Sequence, residues 1–278
     1  MKDHPVKVLT HKTISIEGYS RAAVQTYWRV PELKVGFDLG AQPWSFMGTP
    51  TWFVSHTHID HVMALPTYVA RRRMMKMEPP TIYLPEAALD PIEKILRQVS
   101  RLDRGRLPCQ LLPIRPGDEV ELSREMVVTV SATRHTVPSL GFVIWERRKK
   151  LRPEFASLSG LQIRDLRLSG TEVTSEVRVP RLAYLGDSAP EGLDNCPAMY
   201  QAEVLILEMT FVSPRHRKER IHKFGHMHLD DIIERRDRFA NEVVIASHFS
   251  SRYHVRQIEG FVAKGLPDML GGRLQLWL

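Results

Sequence analysis

The sequence predicts an α/β fold in which two β-sheets pack together and helices cover their outer sides. Two observations carry that expectation. Short runs of β-branched and aromatic residues, punctuated by glycine and proline, fill most of the chain, and only a few segments show the three-to-four spacing of an amphipathic helix. Their order also suits helix-covered sheets: strands, a helix or two, more strands, then strand and helix in alternation.

The runs KTISIEGY, VQTYWRV and LKVGFDLG open the chain as strands, and TWFVS is another. After the polar stretch SHTHIDH, ALPTYVARRRMMKM has the composition of a helix that stops before Glu78-Pro79-Pro80, because a proline disfavours helical backbone in the residue before it. TIYLP reads as a strand. In EAALDPIEKILRQVSRL, Leu89, Ile92, Ile95, Leu96 and Val99 recur at helical spacing, the mark of a helix lying on a core. QLLPI, EVELS, MVVTVSAT and GFVIWE continue as strands. Residues 146–178 change character: basic at the start, weakly periodic and interrupted by Pro153, Gly160 and Gly170, they are expected to form an inserted arm or irregular excursion. Beyond them RLAYLGD, AEVLILE, EVVIASH and RLQLWL read as strands, and LDDIIERRDRF and SRYHVRQIEGFVAKGL as helices. No fixed-period repeat interrupts the pattern.

The chain has 278 residues and 43% hydrophobic content, enough for a sizeable core, and is read as one domain over 1–278. Its formal charge of +7 favours a polyanionic partner. Cys109 and Cys196 are too few and too isolated for a disulfide framework or a CxxC metal site, which fits a reducing, cytoplasmic compartment. The opening MKDHPVKVLTHKT lacks the apolar core of an export signal, and no stretch of about eighteen apolar residues runs consecutively. Membrane and secretory classes are set aside.

The chemistry concentrates in SHTHIDH, residues 55–61, directly after the apolar run TWFV. In an extended chain His56 and His58 project to one side, while Asp60 and His61 sit where the strand gives way to a turn and helix, so two pairs of side chains can aim at two neighbouring points. Imidazole and carboxylate suit zinc, and two zinc ions about 3.5–4 Å apart clamp the attacking and leaving oxygens of a displacement. Further ligands are then needed from other strand ends. His135 ends MVVTVSATRH, Asp187 ends LAYLGD and His248 ends EVVIASH. Asp38, closing LKVGFDLG, is expected to orient the 56–61 loop by hydrogen bonds rather than to bind metal. Such a ligand set accepts zinc, manganese or iron.

These residues resemble the metallo-β-lactamase fold superfamily, an αββα sandwich with a dinuclear metal site at its edge. More narrowly, GYSRAAVQT, FDLG, SHTHIDH, LPTYVARR, GHMH and HFSSRY resemble the tRNase Z (ribonuclease Z) family in the short form found in plants, from about Ile16 to near the C-terminus. The resemblance implies that His56, His58 and His135 hold one Zn2+ and Asp60, His61 and His248 the other, with Asp187 bridging. A hydroxide between the metals is then the nucleophile, and Asp60 orients it or accepts its proton. It further implies an endoribonuclease that removes the 3′ trailer of precursor tRNA, leaving a 3′ hydroxyl on the tRNA and a 5′ phosphate on the trailer, and a homodimer. Two other readings stand beside it: a phosphodiesterase of this fold acting on a small substrate, and a non-catalytic RNA-binding protein.

Cleavage also needs a proton for the departing 3′ oxygen, and histidine titrates near neutrality. In GHMH, residues 225–228, His226 matches the family's proton donor at the start of a helix, and Glu208 in LILEMTF matches the acid paired with it. Without the resemblance, a helix-capping His226 and a structural Glu208 are the simpler reading. His228 is expected in the first turn of the next helix, with no part in the chemistry. Ser250 and Arg252 in HFSSRY, placed at the entrance to a helix, are expected to grip substrate phosphate, with a structural ion pair as the other reading of Arg252.

Three basic concentrations, Arg71–Arg73 with Lys76, Arg147–Lys150 with Arg152, and Arg215–Lys223, suit a structured RNA contacted through phosphates, although each alone also reads as a solvated face. In the family an exosite arm after the third metal motif holds the tRNA elbow, and in homodimers one subunit's arm serves the other's site. Residues 146–178 are the corresponding arm. They are shorter than the bacterial pattern, lack its Gly-Pro-rich tip and glycine-lysine signature, and follow the plant-like LSGLQIRDLRLSG.

Overall fold

The computed structural model describes residues 4–278, whose strands form two seven-stranded sheets. The first contains β1 (Lys7–His11), β2 (Ile14–Arg21), β3 (Gln25–Val30), β4 (Val35–Leu39), β5 (Thr51–Phe53), β6 (Thr81–Pro85) and β7 (Gln110–Ile114), side by side in chain order. The second contains β8 (Glu119–Glu121), β9 (Met126–Ala132), β10 (Leu140–Leu151), β11 (Thr174–Tyr184), β12 (Val204–Glu208), β13 (Val243–Ser247) and β14 (Leu274–Leu276), again in chain order. In both sheets the first four strands pair antiparallel and the rest parallel.

Parallel neighbours cannot be joined by a tight hairpin, so the chain must cross over, and helices occupy the crossovers. In the first half these are α1 (Ile59–Val62), α2 (Leu65–Met74) and α3 (Leu89–Asp103). The second half has α4 (Gly160–Leu168) between β10 and β11, then α5 (Glu191–Asp194), α6 (Pro197–Gln201), α7 (Lys218–Lys223), α8 (Leu229–Glu234) and α9 (Val255–Gly265).

Alternation along each strand sorts side chains between two interfaces. Phe53 of β5 faces the other sheet while Trp52 and Val54 face the helices; Val204 and Ile206 of β12 join Phe53 between the sheets while Leu205 and Leu207 pack outward with Ile232 and Ile258. Phe37 anchors the inter-sheet layer, its ring 5.0 Å from Tyr184 and 5.9 Å from Phe142. Strands covered on both faces read as unbroken apolar runs, which is why VLILE carries no polar residue until its last position. Each fully buried aromatic of this layer contributes roughly 1.5–3 kcal/mol.

Several expectations need correction. The 146–178 segment is not irregular: β10 and β11 run on as a two-stranded ribbon, Glu146 opposite Val179 through Leu151 opposite Thr174, and α4 forms its tip with a Ser159–Gln162 capping box. The helix expected over 251–266 starts only at Val255, and the one expected over LDDIIERRDRF ends at Glu234 with a short 3-10 turn after it. Strand β1 and helices α5, α6 and α7 were not legible, being short and without a full period of pattern.

Two of the three basic concentrations are largely taken up in structural contacts. Arg72 is buried and donates to the carbonyls of Met47 (2.5 Å) and Glu78 (2.8 Å), while Arg71 donates to Gln42 and Arg73 to Arg106. On the ribbon Arg147 pairs with Glu121, Arg148 with Glu146 and Arg152 with Glu172. These cations hold the fold together.

The outer helices are tied by Asp194 at the end of α5. Its carboxylate accepts from Arg235 Nη2 (2.7 Å) and the Tyr200 hydroxyl (2.8 Å), and Arg238 also reaches it. The bond to Arg235 is the main cause holding this carboxyl down at about 2. Because the folded value lies below the unfolded value of about 3.9, its stabilisation is complete above pH 4 and is lost as pH falls toward 2. The group is partly exposed, so screening keeps the effect modest. We therefore expect Asp194→Asn to lower stability by about 1 kcal/mol at pH 7 and to flatten the pH dependence between about pH 4 and 2, measured by urea unfolding across that range.

Candidate metal centre

Every polar side chain singled out at a strand end lies on one edge of the sandwich, where the carboxyl ends of β4, β5, β11, β12 and β13 open. Asp38 and His248 both take left-handed backbone there (φ 58°), a conformation costing a non-glycine residue roughly 1–3 kcal/mol. Such strain persists where the surroundings fix it, and both side chains are fully engaged.

Two triads face each other. In the first, His58 Nδ1 lies 3.2 Å from His56 Nε2 and 3.0 Å from His135 Nε2. In the second, His61 Nε2 and His248 Nε2 are 3.3 Å apart, with Asp60 Oδ2 at 3.8 and 3.6 Å. Asp187 Oδ2 stands between them, 3.8 Å from His56, 3.5 Å from His61 and 3.3 Å from His248. Each triad is compact enough for one cation, and Asp187 can reach both. Other trios are as compact: His56, His61 and Asp187 link the two triads, and two further ones include His226, whose Nδ1 is already held by Glu208.

The far side of each ring decides what it offers the centre. His61 Nδ1 donates to Asp38 (2.8 Å) and His135 Nδ1 to the Gly225 carbonyl (2.8 Å). The Ser55 hydroxyl spends its one proton on Asp38, so at 3.0 Å it accepts from His56 Nδ1; Thr210, which donates to Glu208, accepts in the same way from His248 Nδ1 at 3.0 Å. Four imidazoles thus turn Nε2 lone pairs inward. Lone pairs 3.0–3.3 Å apart repel unless a cation sits among them, so the donor set fits divalent metal. Burial first, and neighbouring rings next, push His56 well below its ordinary value, and burial lowers His58 and His135, keeping them neutral as ligands must be. Burial would raise Asp60, but its contacts with His248 and His61 outweigh this and hold it at about 2.

Beside the triads, His226 Nδ1 lies 3.0 and 3.2 Å from the two oxygens of Glu208. Burial opposes a proton on this ring, yet Glu208 raises it to about 9. Glu208 is itself fixed by Ser188 N (2.8 Å), Met227 N (3.2 Å) and Thr210. His226 does not begin a helix, as expected from the sequence, but precedes α8 by three residues. The N-cap is His228, which accepts from Asp230 N.

Gly225 has φ +68°, and a Cβ there would fall 2.5 Å from His135 Cα, so glycine is required twice over at the link between α7 and His226. Asp38 accepts from Ser55 N, Ser55 Oγ, His61 Nδ1 and the Tyr184 hydroxyl, as an orienting role demands. Tyr184, Ser55 and Thr210 were missed: each sits inside or just after an apolar run, and only the pairing of neighbouring strands, or for Tyr184 the closure of the two sheets, reveals its partner.

Ser250 and Arg252 line the centre's outer wall with Ala23 and Thr210, in the turn before α9 rather than at its first residues. Among the described residues Arg252 has no carboxylate partner, so the ion-pair reading falls. Next to it opens a cavity of about 580 Å³, whose wall includes His226, Phe211, Phe224, Arg217 and Arg220. Burial, then the charges of Arg252 and Arg220, keep His216 of this wall below its ordinary value.

Residues 51–249 match the beta-lactamase superfamily domain. The tRNase Z TRZ1 of Arabidopsis thaliana is 34% identical over 262 residues, which cover 93% of this chain and 93% of that protein. The chloroplastic tRNase Z TRZ2 of the same plant is 37% identical over 256 residues, 91% of this chain and 72% of that one. Among solved structures, the metallo-beta-lactamase fold protein YhfI of Bacillus subtilis superposes with a TM-score of 0.62 at 12% identity, covering 93% of this chain and 92% of its own. The short form of human tRNase Z superposes with a TM-score of 0.54 at 16% identity, covering 86% and 87%. At such identities the two structures show likeness of fold alone.

Because Asp38 orients both His61 and the loop that carries His56, we expect Asp38→Asn to weaken divalent-metal binding about 10–100-fold and Tyr184→Phe to cost only about 1–2 kcal/mol in unfolding free energy. Metal titration followed by a chromophoric chelator checks the first and urea unfolding the second.

Proposed function

Since the chain belongs to the tRNase Z family of the metallo-β-lactamase superfamily, we propose that it removes the 3′ trailer of precursor tRNA, cutting one phosphodiester to leave a 3′ hydroxyl on the tRNA and a 5′ phosphate on the trailer. The observation that carries this is the Glu208–His226 pair set 4.0 Å from Asp187, a proton donor placed beside a centre built for divalent cations.

We read His56, His58 and His135 as ligands of one Zn2+, Asp60, His61 and His248 as ligands of a second, and Asp187 as shared. The convergence of their inward atoms supports this. When bound, such a pair supplies positive charge to the phosphate and an acidified water as nucleophile. Asp60, held ionised, would orient a water bound there or accept its proton. Glu208 binds His226 at Nδ1 and leaves Nε2 to donate to the departing 3′ oxygen, which as an alkoxide would be a poor leaving group. Arg252 meets the phosphate oxygens with two parallel donors, and Ser250 shapes the wall beside it.

Residues 1–278 are read as one domain, since both sheets share one core, and the 146–178 ribbon as an exosite arm for tRNA, where Lys149 and Lys150 stand without ion pairs among the described residues. The homodimer is supported by the exposed apolar side chains of Ile59 (75%) and Val24 (52%) beside the Ala23–Asp60 hydrogen bond, and sedimentation in solution checks it. Free Cys109 and Cys196 support a reducing compartment such as the cytoplasm. Among the described residues no helix is long and apolar enough to cross a membrane.

Incubation with precursor tRNA is expected to give a single cut that a chelator abolishes and Zn2+ restores; no metal-dependent cut would overturn the function. Asp60→Ala should lose metal as well as activity. His226→Ala should keep its metal and lower kcat about 10²–10⁴-fold, so equal loss of metal in both variants would remove His226 from its role.

A further inference from the structure

The first two basic concentrations are largely engaged in structural hydrogen bonds and ion pairs, whereas the third leaves guanidinium groups unpaired beside a cavity. Lys218 is paired with Asp231 and Glu234, but among the described residues Arg217 and Arg220 have no carboxylate partner, and both line the 580 Å³ cavity beside His226. Phe224, at the end of α7, lines the same cavity and is 50% exposed. A half-exposed aromatic side chain in the same cavity as unpaired guanidinium groups is poor core packing. It is what a nucleotide needs: a plane for its base and charge for its phosphate.

Which nucleotide it takes follows from the proton. His226 forms part of this cavity, with Phe211 edge-on to its ring at 6.2 Å. His226, Phe211 and Arg252 border both this cavity and the recess that Ser250, Ala23 and Asp60 line over the centre, so the oxygen that receives the His226 proton lies where the two meet, and Phe224 lines the first of them alone. Under the cleavage proposed above, on which this inference rests, that oxygen is the 3′ oxygen of the last nucleotide kept by the tRNA. We propose that Phe224 stacks the base of the nucleotide whose 3′ oxygen departs, while Arg217 and Arg220 hold the phosphate on its 5′ side. Ile221 and Phe211 add apolar surface without hydrogen-bonding groups, so the seat senses the presence of a base rather than its identity. Gly225, in left-handed backbone and in contact with His135, fixes Phe224 relative to the centre, so a stacked base brings its own 3′ oxygen toward His226.

The test compares two precursor tRNAs that differ only at this nucleotide, one with its base and one abasic. Wild-type protein should cleave the base-bearing substrate with a kcat/KM about ten- to a hundredfold higher. In Phe224→Ala and Phe224→Leu that ratio should fall to near one, and Phe224→Trp should restore it. Exchanging one base for another should change the rate little in any variant. A ratio near one in wild type, or a ratio unchanged in Phe224→Ala and Phe224→Leu, would overturn the proposal while leaving the tRNA-processing function standing. Absence of any metal-dependent cut in either substrate would instead remove the function on which it rests. Half-exposed Phe224 carries little core packing, and a thermal melt confirms that each variant is folded before its ratio is read.

Discussion

The structure depends on one buried carboxylate. Asp38 leaves β4 in left-handed backbone and accepts four hydrogen bonds: two from Ser55, one from His61 and one, at 2.5 Å, from Tyr184 of the opposite sheet. It fixes the start of the 55–61 loop, sets His61 with Nε2 inward, and bridges the two layers at the edge where they open. Burial, then Asp38 itself, pushes the Tyr184 hydroxyl well up, so it remains a proton donor. A carboxylate with no solvent exposure survives only when so fully satisfied. Fold and centre therefore share one stabilising group.

Around it, the architecture is the same device used twice. Each sheet lays down an antiparallel meander and then turns parallel, so the later strands all point their carboxyl ends at one edge. Ligands in open α/β sheets bind outside such ends because the connecting loops there are free of sheet hydrogen bonding. The first half contributes Asp38 and the dense 56–61 cluster; the second contributes one residue per strand end, at His135, Asp187, Glu208 and His248. The centre forms only when both halves close on the aromatic layer of Phe37, Phe53, Phe142 and Tyr184.

Much of this was legible in the sequence because it followed from strand ends. An apolar run that stops abruptly at His or Asp announces both a strand and a group held at its tip, and His135, Asp187 and His248 were singled out that way, whereas Glu208 entered through the family resemblance. What stayed hidden depends on partners distant in the chain. Tyr184 looks like one more aromatic in RLAYLGD until Asp38, 146 residues earlier, is brought to its hydroxyl. Thr210 is unremarkable in MTF until it joins Glu208 to His248. Arg72 read as part of a charged surface, and only the carbonyls of Met47 and Glu78 show it to be internal. The ribbon of 146–178 escaped because strands exposed on both faces lose the alternation by which strands are recognised.

Gly225 joins parts that seem to have separate tasks. Its carbonyl holds His135, its missing side chain lets α7 lie against that histidine, and the next peptide carries His226. The rings of His135 and His226 are thus positioned by one short stretch of backbone. The spacing of the His135 and His226 rings, 5.0 Å between centroids, is therefore set locally by the Gly225 peptide as well as by the closure of the sandwich.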